Sequence, residues 1–530
     1  MERYFDNEML IRGNKQDSQM KTISIDLTPE EYHVPDLMRE AVARQLHVTP
    51  EGLEPLHVTR RTLDCRKRAI VYHTEIAIGH AEHMEQPEQR LGDLAATAPR
   101  VVVVGAGPAG LFAALRLLER GIRPVIVERG KPVEERKYDI AALTREKRVN
   151  PDSNWCFGEG GAGTYSDGKL YTRSTKRGDV GAVLRTFVAH GADPDIMLDA
   201  HAHIGTDRLS GIIANMRRTI VEHGGEYHFG TRVSDLMVRD GAVAGVVDQQ
   251  GNPIEGTAVI LATGHSARDI YRLFYRHGWL LEAKPFALGV RVEHPQELIN
   301  EIQYHGKGYS RHLPAAAYSL TTQANGHGVF SFCMCPGGVI VPAATAGGQQ
   351  VVNGMSNSRR NSPYANSGIA VTVGLDDVKA DDALGLMDFQ MAVEQRMFHA
   401  GGDAINAPAQ RLVDFLRHRS SSRLNKTGYM GDVVSAPLHE LLPPFVAESL
   451  AQGFKDFDRK MHGFVTEEAT LLAVESRTSS PVRIPRDRAT LQHPQLPGLY
   501  PCGEGAGYAG GIVSSALDGI RCADAVSLRR

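Results

Sequence analysis

A glycine-rich turn near residue 105 is the segment of this sequence with the most specific chemistry. Gly105, Gly107 and Gly110 have the spacing G-x-G-x-x-G, directly after four valines and directly before the helix-like run LFAALRLLERG. The first glycine permits a tight turn, the second lets the backbone approach a pyrophosphate, and the third lets the helix pack closely on the strand. The helix N-terminus adds amide donors and a positive dipole. The turn predicts a dinucleotide site that includes Pro108 and Ala109.

An acidic residue follows at the distance that such a site requires. The next apolar strand, PVIVERG, ends at Glu128, which is 18 residues beyond Gly110. A carboxylate about 20 residues after the glycines accepts hydrogen bonds from the ribose hydroxyls. We therefore predict that Glu128 and its neighbour Arg129 belong to the same site. The glycine spacing alone is a weak signal, but the order strand, glycines, helix, strand and acid is specific.

Two later segments favour FAD over NAD. The strand VILATGHSARD leads into Ala262, Thr263 and Gly264, and it resembles the strand and turn that return beneath the dinucleotide in two-dinucleotide-binding-domain flavoproteins. The strand-rich stretch before it, which contains Val233, resembles their connecting meander. Near the C-terminus, GLYPCGEGAGYAGGIVSSALDGIRCA resembles their closing segment. The resemblance implies that Gly503 and Glu504 meet the ribityl chain and pyrophosphate. It also implies that a helix starting near Gly510, Gly511 and Ile512 points at the flavin pyrimidine edge.

A second glycine-rich segment, FGEGGAGTYSDGKL, spans residues 157–170. Its glycines also have the G-x-G-x-x-G spacing, but no apolar strand precedes them, so it is not a second dinucleotide fingerprint. It resembles the loop that lies along the isoalloxazine in related flavoproteins, which implies that Gly161, Ala162 and Gly163 contact FAD. The alternative is a flexible surface loop.

These segments together resemble one bacterial family, the uncharacterised FAD-dependent dehydrogenases with a glutathione-reductase-like FAD fold. Four further stretches match its block signatures, namely KPFALGVRVEHP, FCMCPGGVIVPA, VNGMSNSRR and VESRTSSPVRIPRD. The resemblance covers most of the chain. It implies FAD as the cofactor and oxidoreductase chemistry, but it does not name a substrate.

The elements that position these residues predict an α/β fold. We expect a Rossmann-like FAD-binding domain of the two-dinucleotide-binding-domain superfamily, with an inserted α+β substrate domain and a small N-terminal α+β domain. The predicted boundaries are 1–97 for the N-terminal module with its linker, 98–285 for the first part of the FAD-binding domain, 286–475 for the inserted substrate or cap domain, and 476–530 for the closing part.

Catalytic residues are harder to predict than cofactor contacts. Cys333 and Cys335 face the same side of a regular strand, where they form a redox pair, half of a metal site, or a pair of small buried residues. A C-x-x-x-x-C pair after the first βαβ unit is missing, which disfavours thiol–disulfide exchange. Arg477 and Arg483 precede the closing segment and either clamp a substrate carboxylate, steady a flavin anion, or form structural salt bridges.

Other polar clusters have plainer interpretations. Arg291, Glu293 and His294 either line the substrate pocket or, for the first two, form an ion pair on one strand face. His201 and His203 have ligand spacing on a strand, but no nearby cysteine or acidic cluster completes a metal site. We therefore predict no metal.

Composition sets the remaining expectations. The chain has 530 residues, of which 42% are hydrophobic and 23% charged, with a net charge of -3. The polar N-terminus predicts no secretory signal, no segment is suited to span a membrane, and the six cysteines suit a cytoplasmic protein. A basic cluster, Arg60, Arg61 and residues 66–68, is offset by the acidic balance of residues 1–97, so nucleic acid is not the expected partner.

The predicted function is that of an FAD-dependent oxidoreductase that exchanges hydride between a small-molecule substrate and flavin N5. NAD(P)H is a candidate transient electron donor, because no second strand-led fingerprint provides a resident nicotinamide site. Two alternatives remain open at this point. One is a flavin-dependent RNA-modifying or RNA-binding protein, and the other is a non-catalytic flavin-binding scaffold.

Overall fold

The computed structural model describes residues 21–79, 91–172 and 178–527. The chain divides into two compact units, Met1–Pro87 with Leu198–Ala200, and Glu88–Met197 with His201–Arg530. Within the described residues, none of the helices has the length and apolar character needed to span a membrane.

The smaller unit is a three-stranded antiparallel sheet with two helices. Its elements are β1 (Lys21–Leu27), α1 (Pro29–His33), α2 (Pro35–Leu46), β2 (Leu56–Asp64) and β3 (Val71–Ile78), with strand order β1-β3-β2. A capping box starts α1, in which Thr28 Oγ1 accepts from the Glu31 amide and the Glu31 carboxylate accepts from the Thr28 amide. Leu27, Val42 and Ile76 are fully buried, so the apolar faces of the helices and the sheet form a small core.

The larger unit contains a five-stranded parallel sheet. Its strands β4 (Arg100–Val104), β5 (Arg123–Val127), β6 (Glu226–His228), β10 (Val259–Leu261) and β22 (Leu499–Pro501) lie in the order β22-β10-β4-β5-β6. Val101, Val102 and Val103 are fully buried, as expected for a central strand covered on both faces. The carboxyl ends of these parallel strands share one edge of the sheet, where α/β folds bind their ligands.

Helices and a small antiparallel sheet accompany the parallel sheet. The helices are α3 (Pro108–Glu119), α4 (Val133–Glu146), α5 (Val180–Ala189), α6 (Thr206–Glu222), α7 (Arg268–His277) and α14 (Ile512–Ser527). The predicted meander is a three-stranded sheet of β7 (Val233–Arg239), β8 (Ala242–Asp248) and β9 (Pro253–Glu255). The turn between its first two strands is Asp240-Gly241, with both φ angles positive at 50° and 76°, as a two-residue hairpin turn requires.

A seven-stranded mixed sheet is built from residues 286–475. Its strands are β12 (Phe286–Pro295), β13 (Thr321–Ala324), β14 (His327–Cys335), β17 (Tyr364–Val373), β18 (Ala407–Arg411), β19 (Val433–Ser435) and β20 (Thr470–Glu475), in the order β13-β14-β17-β12-β20-β18-β19. Smaller pairs join β15 (Gly338–Pro342) to β16 (Val352–Ser356), and β11 (Glu282–Ala283) to β21 (Val482–Arg483). The helices of the segment 286–475 are α8 (Gln296–Gln303), α9 (Leu375–Val378), α10 (Gly385–Ala400), α11 (Leu412–Leu416), α12 (Leu438–Leu441) and α13 (Pro444–Lys460).

Candidate functional site

A cavity of about 630 Å³ opens within the larger unit, among the loops that follow the parallel strands. Its volume lies in the range of roughly 300–1,000 Å³ that is typical of cofactor and ligand sites. All but one of the cofactor residues predicted from the sequence line it, namely Gly105, Gly107, Pro108, Ala109, Glu128, Arg129, Gly161, Ala162, Gly163, Val233, Ala262, Thr263, Gly264, Gly503, Glu504, Gly510, Gly511 and Ile512. The exception, Gly110, packs the helix on the turn, because a Cβ there would lie 1.9 Å from the Gly105 carbonyl oxygen.

Glu128 ties three segments of the cavity wall together. Its Oε2 accepts from the Ala106 amide at 2.9 Å, and its Oε1 accepts from the Gly130 and Gly158 amides at 2.9 and 3.0 Å. The carboxylate is buried but lines the cavity. Two oxygens offer about four acceptor positions, so one remains for a ribose hydroxyl. Arg129 also lines the cavity, but its guanidinium is already paired, with Asp152 at 2.8 Å and with Asp269 at 3.1 Å.

The wall beside Gly107 has the space that a pyrophosphate requires. A Cβ added at Gly107 would meet no described heavy atom closer than the Gly161 Cα at 3.9 Å. Its φ of -78° suits any residue, so neither sterics nor backbone conformation of the protein itself demands glycine here. The Cβ positions of Gly510 and Gly511, before α14, are also open. The residues present therefore fit a dinucleotide whose phosphates approach the backbone at the N-terminus of α3.

The second glycine-rich loop is an ordered wall of the cavity, not a loose surface segment. Arg136 of α4 is fully buried and donates to the carbonyl oxygens of Asn154 and Gly161 at 2.7 and 3.0 Å. Glu159 accepts from the Val133 amide at 2.8 Å and pairs with Arg217 at 2.7 Å. Sequence reasoning missed Arg136, Glu159 and Arg217, because each bonds to a residue of another segment and has no motif of its own.

Arg477 lines the cavity, but its guanidinium is already bonded. It donates to Glu394 Oε1 at 2.7 Å and to Ser266 Oγ at 2.8 Å, and Glu394 also pairs with Arg268 at 2.9 Å. This supports the structural salt bridge among the interpretations of Arg477. Arg483 is not among the cavity-lining residues, and its Nη1 lies 3.5 Å from Glu282 Oε2.

His265 and Glu504 form a titratable pair on the cavity wall. His265 Nε2 lies 3.5 Å from Glu504 Oε2. Burial, together with the nearby Arg477 and Arg268 charges, lowers the pKa of His265 to about 4, and burial raises the pKa of Glu504 to about 7. His265 is therefore neutral near pH 7, while Glu504 is able to hold or release a proton there.

The polar cluster on β12 differs from its predicted arrangement. Arg291 does not pair with Glu293. Its Nε donates to Glu475 Oε2 of the neighbouring strand β20 at 2.7 Å. Glu293 instead accepts from the Gly428 amide at 3.1 Å, and burial raises the pKa of this carboxyl to about 7. His294 is buried, and its Nε2 lies 2.8 Å from the Phe464 carbonyl oxygen. None of these three residues lines the cavity.

The cysteine and histidine pairs singled out in the sequence have different surroundings. Cys333 lines the cavity and Cys335 is buried. His203 Nε2 contacts the Ser358 carbonyl oxygen at 3.2 Å, and His201 packs edge-on against Tyr171. Among the described residues, the only cluster with metal-ligand geometry is Cys502, Asp518 and Cys522. There, Arg486 already neutralises the Asp518 carboxylate at 2.6 Å, which removes the need for a cation.

Comparison with known proteins gives matches across the chain. Residues 285–478 match the family described as FAD-dependent protein, C-terminal domain-like, and residues 99–138 match the FAD binding domain family. Residues 19–79 match a domain of unknown function, DUF8436. A protein of Clostridium beijerinckii, named only as uncharacterized, is 39% identical over 513 residues, which is 92% of this chain and 95% of that protein.

Solved structures resemble this chain at low sequence identity and low TM-score. The flavin-dependent brominase Bmp2 is 15% identical with a TM-score of 0.35, covering 82% of this chain and 79% of that one. A geranylgeranyl bacteriochlorophyll reductase-like protein from Thermoplasma acidophilum is 12% identical with a TM-score of 0.34, covering 81% and 77%.

The family matches confirm FAD as the cofactor predicted from the sequence. The 39% identity extends over nearly the full length of both chains, so this chain belongs to one family with the Clostridium protein. The matches to the two FAD-related family descriptions identify it as a family of FAD-dependent flavoproteins.

Proposed function

We propose that this protein is an FAD-dependent oxidoreductase that exchanges hydride between a small-molecule substrate and flavin N5. The observation that carries the proposal is the composition of the cavity wall. The predicted FAD segments line one part, and Ser319, Ser331, Phe332, Cys333 and Asn353, from the segment 286–475, line another. A cavity with both kinds of wall can hold the cofactor and a second molecule together, as hydride transfer requires.

The domain assignment belongs to the same proposal. We assign residues 98–285 and 476–530 to an FAD-binding domain of the two-dinucleotide-binding-domain superfamily, and residues 286–475 to an inserted substrate domain. Supporting this, the parallel sheet takes β4, β5, β6 and β10 from the first segment and β22 from the last, while the seven-stranded sheet lies between them in sequence. Residues 1–97 form a separate module in this assignment.

Bound FAD supplies the hydride chemistry, and the residues of this chain supply position, charge and protons. The N-terminus of α14 would stabilise negative charge on the flavin through the helix dipole. Glu504 lines this wall with a pKa near 7, and we assign to it the uptake or release of the accompanying proton. Gly105, Gly107 and the α3 amides would hold the pyrophosphate.

Anaerobic mixing tests the proposed function. The purified protein should show a flavin absorbance spectrum, and the flavin absorbance should fall with one metabolite and return with its partner metabolite. NADH and NADPH are tested separately as donors. A protein that refolds but takes up no FAD contradicts the cofactor assignment. Bound FAD that no metabolite reduces or reoxidises identifies a non-catalytic scaffold instead.

The RNA-binding alternative receives no support from the basic cluster. Arg66 Nη2 lies 2.7 Å from Asp64 Oδ2, and Arg60 Nη1 lies 3.6 Å from Glu75 Oε1. Arg61 Nη2 also lies 2.7 Å from Asp199 Oδ2, so three of the five cations are already paired within the smaller unit. A salt-dependent RNA gel shift that weakens when Arg66, Lys67 and Arg68 are changed to Glu would restore this alternative.

A further inference from the structure

Cys333 and Cys335 lie where β14 departs from regular strand geometry. Phe332 pairs with Gly368 and Cys335 with Asn366, so two residues of β14 stand where β17 has one. This is a β-bulge, a feature that often re-aims side chains beside active sites. Within it, Cys333 has φ 45°, in the left-handed region that residues with a Cβ rarely adopt. Residues held in such conformations concentrate at functional sites.

The half-buried Lys169, the buried Arg291 and one thiol hold this bulge in place. Lys169 Nζ donates to the Met334 carbonyl oxygen. Arg291 Nη1 donates to the Cys333 carbonyl oxygen at 3.2 Å, and its position is fixed by the ion pair with Glu475. Cys335 Sγ donates to the same Cys333 oxygen at 3.3 Å. These bonds fix the backbone of the bulge, and both cations also pair with carboxylates, Lys169 with Asp167 at 3.7 Å and Arg291 with Glu475 at 2.7 Å.

The two thiols have different surroundings and different acidities. Cys333 lines the cavity together with Glu504 and Gly511, whereas Cys335 is fully buried behind it. The interaction with the Cys335 side chain, together with the Lys169 and Arg291 charges, lowers the pKa of Cys333 well below its usual value. The same interaction and burial raise the pKa of Cys335. A pair of inert, apolar-packed cysteines would show neither the neighbouring cations nor the exposure of one member to the cavity.

We propose that Cys333 and Cys335 are a redox-active dithiol that exchanges two electrons with the bound FAD; the proposal rests on the proposed function above. When the Sγ–Sγ bond forms, the two thiols lose two protons and two electrons. Oxidised FAD is the oxidant and takes up both electrons with the protons that accompany its reduction. In the reverse direction, reduced FAD cleaves the disulfide and returns both thiols. Cys333 is the member that faces the cofactor, and Cys335 is the member that closes the disulfide.

An anaerobic reductive titration of the FAD-loaded protein tests this proposal. The protein is first oxidised and then titrated with dithionite, while flavin absorbance and free thiols are followed. We expect wild type to take up four electrons per FAD, and Cys333→Ser and Cys335→Ser to take up two. Cys65→Ser, which removes a thiol outside the cavity wall, should still take up four.

Peptide mass spectrometry gives a second readout that does not depend on flavin chemistry. Oxidised wild type should contain a Cys333–Cys335 peptide lighter by two hydrogen atoms, and thiol reagents should label neither residue until the protein is reduced. Two electrons per FAD in wild type, or full labelling of both cysteines in the oxidised protein, overturns the dithiol. If wild type takes up four electrons but no metabolite turns over, the dithiol stands and the proposed function fails. A protein without FAD overturns both.

Discussion

The pKa values of two buried glutamates, Glu394 and Glu293, are shifted in opposite directions, because different groups surround the two carboxylates. Burial raises the pKa of both, but at Glu394 the Arg477 and Arg268 charges outweigh burial and lower the pKa to about 2. Glu293 has hydrogen bonds from Thr427 and the Gly428 amide but no guanidinium, and burial raises its pKa to about 7. Fold stability therefore depends on pH through individual side chains, with opposite signs at neighbouring parts of the larger unit.

Glu293→Gln should stabilise the protein at neutral and alkaline pH. The raised pKa means that the contribution of Glu293 is fully present below about 4.5 and is lost as pH rises to about 7. A shift of this size corresponds to about 3 kcal/mol, and glutamine cannot ionise. We expect the free energy of unfolding of the variant to exceed that of wild type at pH 8, but not at pH 4.5.

Urea unfolding at both pH values provides the measurement. Glu448→Gln, an exposed glutamate on α13, is the matched control and should change neither value. Equal effects of Glu293→Gln at pH 4.5 and pH 8 would show that the carboxyl ionises normally in the folded protein.

Gly107→Val tests the pyrophosphate position directly. The free protein has room for the side chain, so the fold should persist, while the valine occupies the space of the phosphates. We expect purified Gly107→Val to lack the flavin spectrum but to keep the wild-type circular dichroism. Gly211→Ala, which adds a methyl group in open space on α6, should retain FAD. Normal FAD content in Gly107→Val would mean that the phosphates lie elsewhere.

At the scale of elements, helices α3 and α14 determine the shape of the site together. They pack so closely that a Cβ at Gly519 would lie 2.1 Å from the Ala109 carbonyl oxygen. Both helices begin at the cavity wall, where Ala109 and Ile512 lie. Their N-terminal amides therefore have fixed relative positions, although 404 residues separate Pro108 from Ile512 in the chain. The bulge in β14 is a local irregularity of one strand, and the regular alternation of side chains along a strand does not predict it.

Gly519→Ala should move these two helices apart. Replacing glycine by alanine inside a helix normally stabilises the protein by about 1 kcal/mol. Here the new methyl group would clash with the Ala109 carbonyl oxygen, and overpacking of this kind destabilises a protein by about 1–3 kcal/mol. We expect a lower melting temperature and weaker FAD binding, measured by thermal unfolding and by flavin titration. The control Gly211→Ala should be neutral or slightly stabilising. A fully stable Gly519→Ala would mean that the helix contact is looser than described.

At the scale of the whole molecule, FAD binding and folding of the larger unit should be coupled. The parallel sheet is completed by β22, and the cavity wall by Gly503 to Ser515, so the site exists only when both ends of the unit are assembled. A ligand that binds only the folded protein stabilises it by about 2.7 kcal/mol at one hundred times its Kd. Wild type should therefore melt at higher temperature as FAD is added, whereas Gly107→Val should not respond. A wild-type melting temperature independent of FAD would contradict the coupling.

The residues predicted to contact FAD could be named from the sequence, because the signals for them are local. A glycine turn between strand and helix, an acid at fixed distance, and a closing Gly-Glu segment each carry their own backbone or charge requirement. Those segments line one cavity. The roles of Arg136, Lys169 and Glu394 were not predictable, because each bonds to residues brought near by folding, and a single arginine, lysine or glutamate has no pattern.

The sequence by itself therefore determined the cofactor class and the family, because the residues of a phosphate-binding turn are consecutive in the chain. Only the tertiary structure decided which charged side chains are already satisfied and which face the cavity. Arg477 and Arg129 are neutralised by partners far away in the chain, and Arg291 pairs with Glu475 across strands rather than with Glu293 on its own strand. Electrostatic pairing falls steeply with distance in space, and distance in space between remote segments is fixed by packing, not by spacing in the sequence.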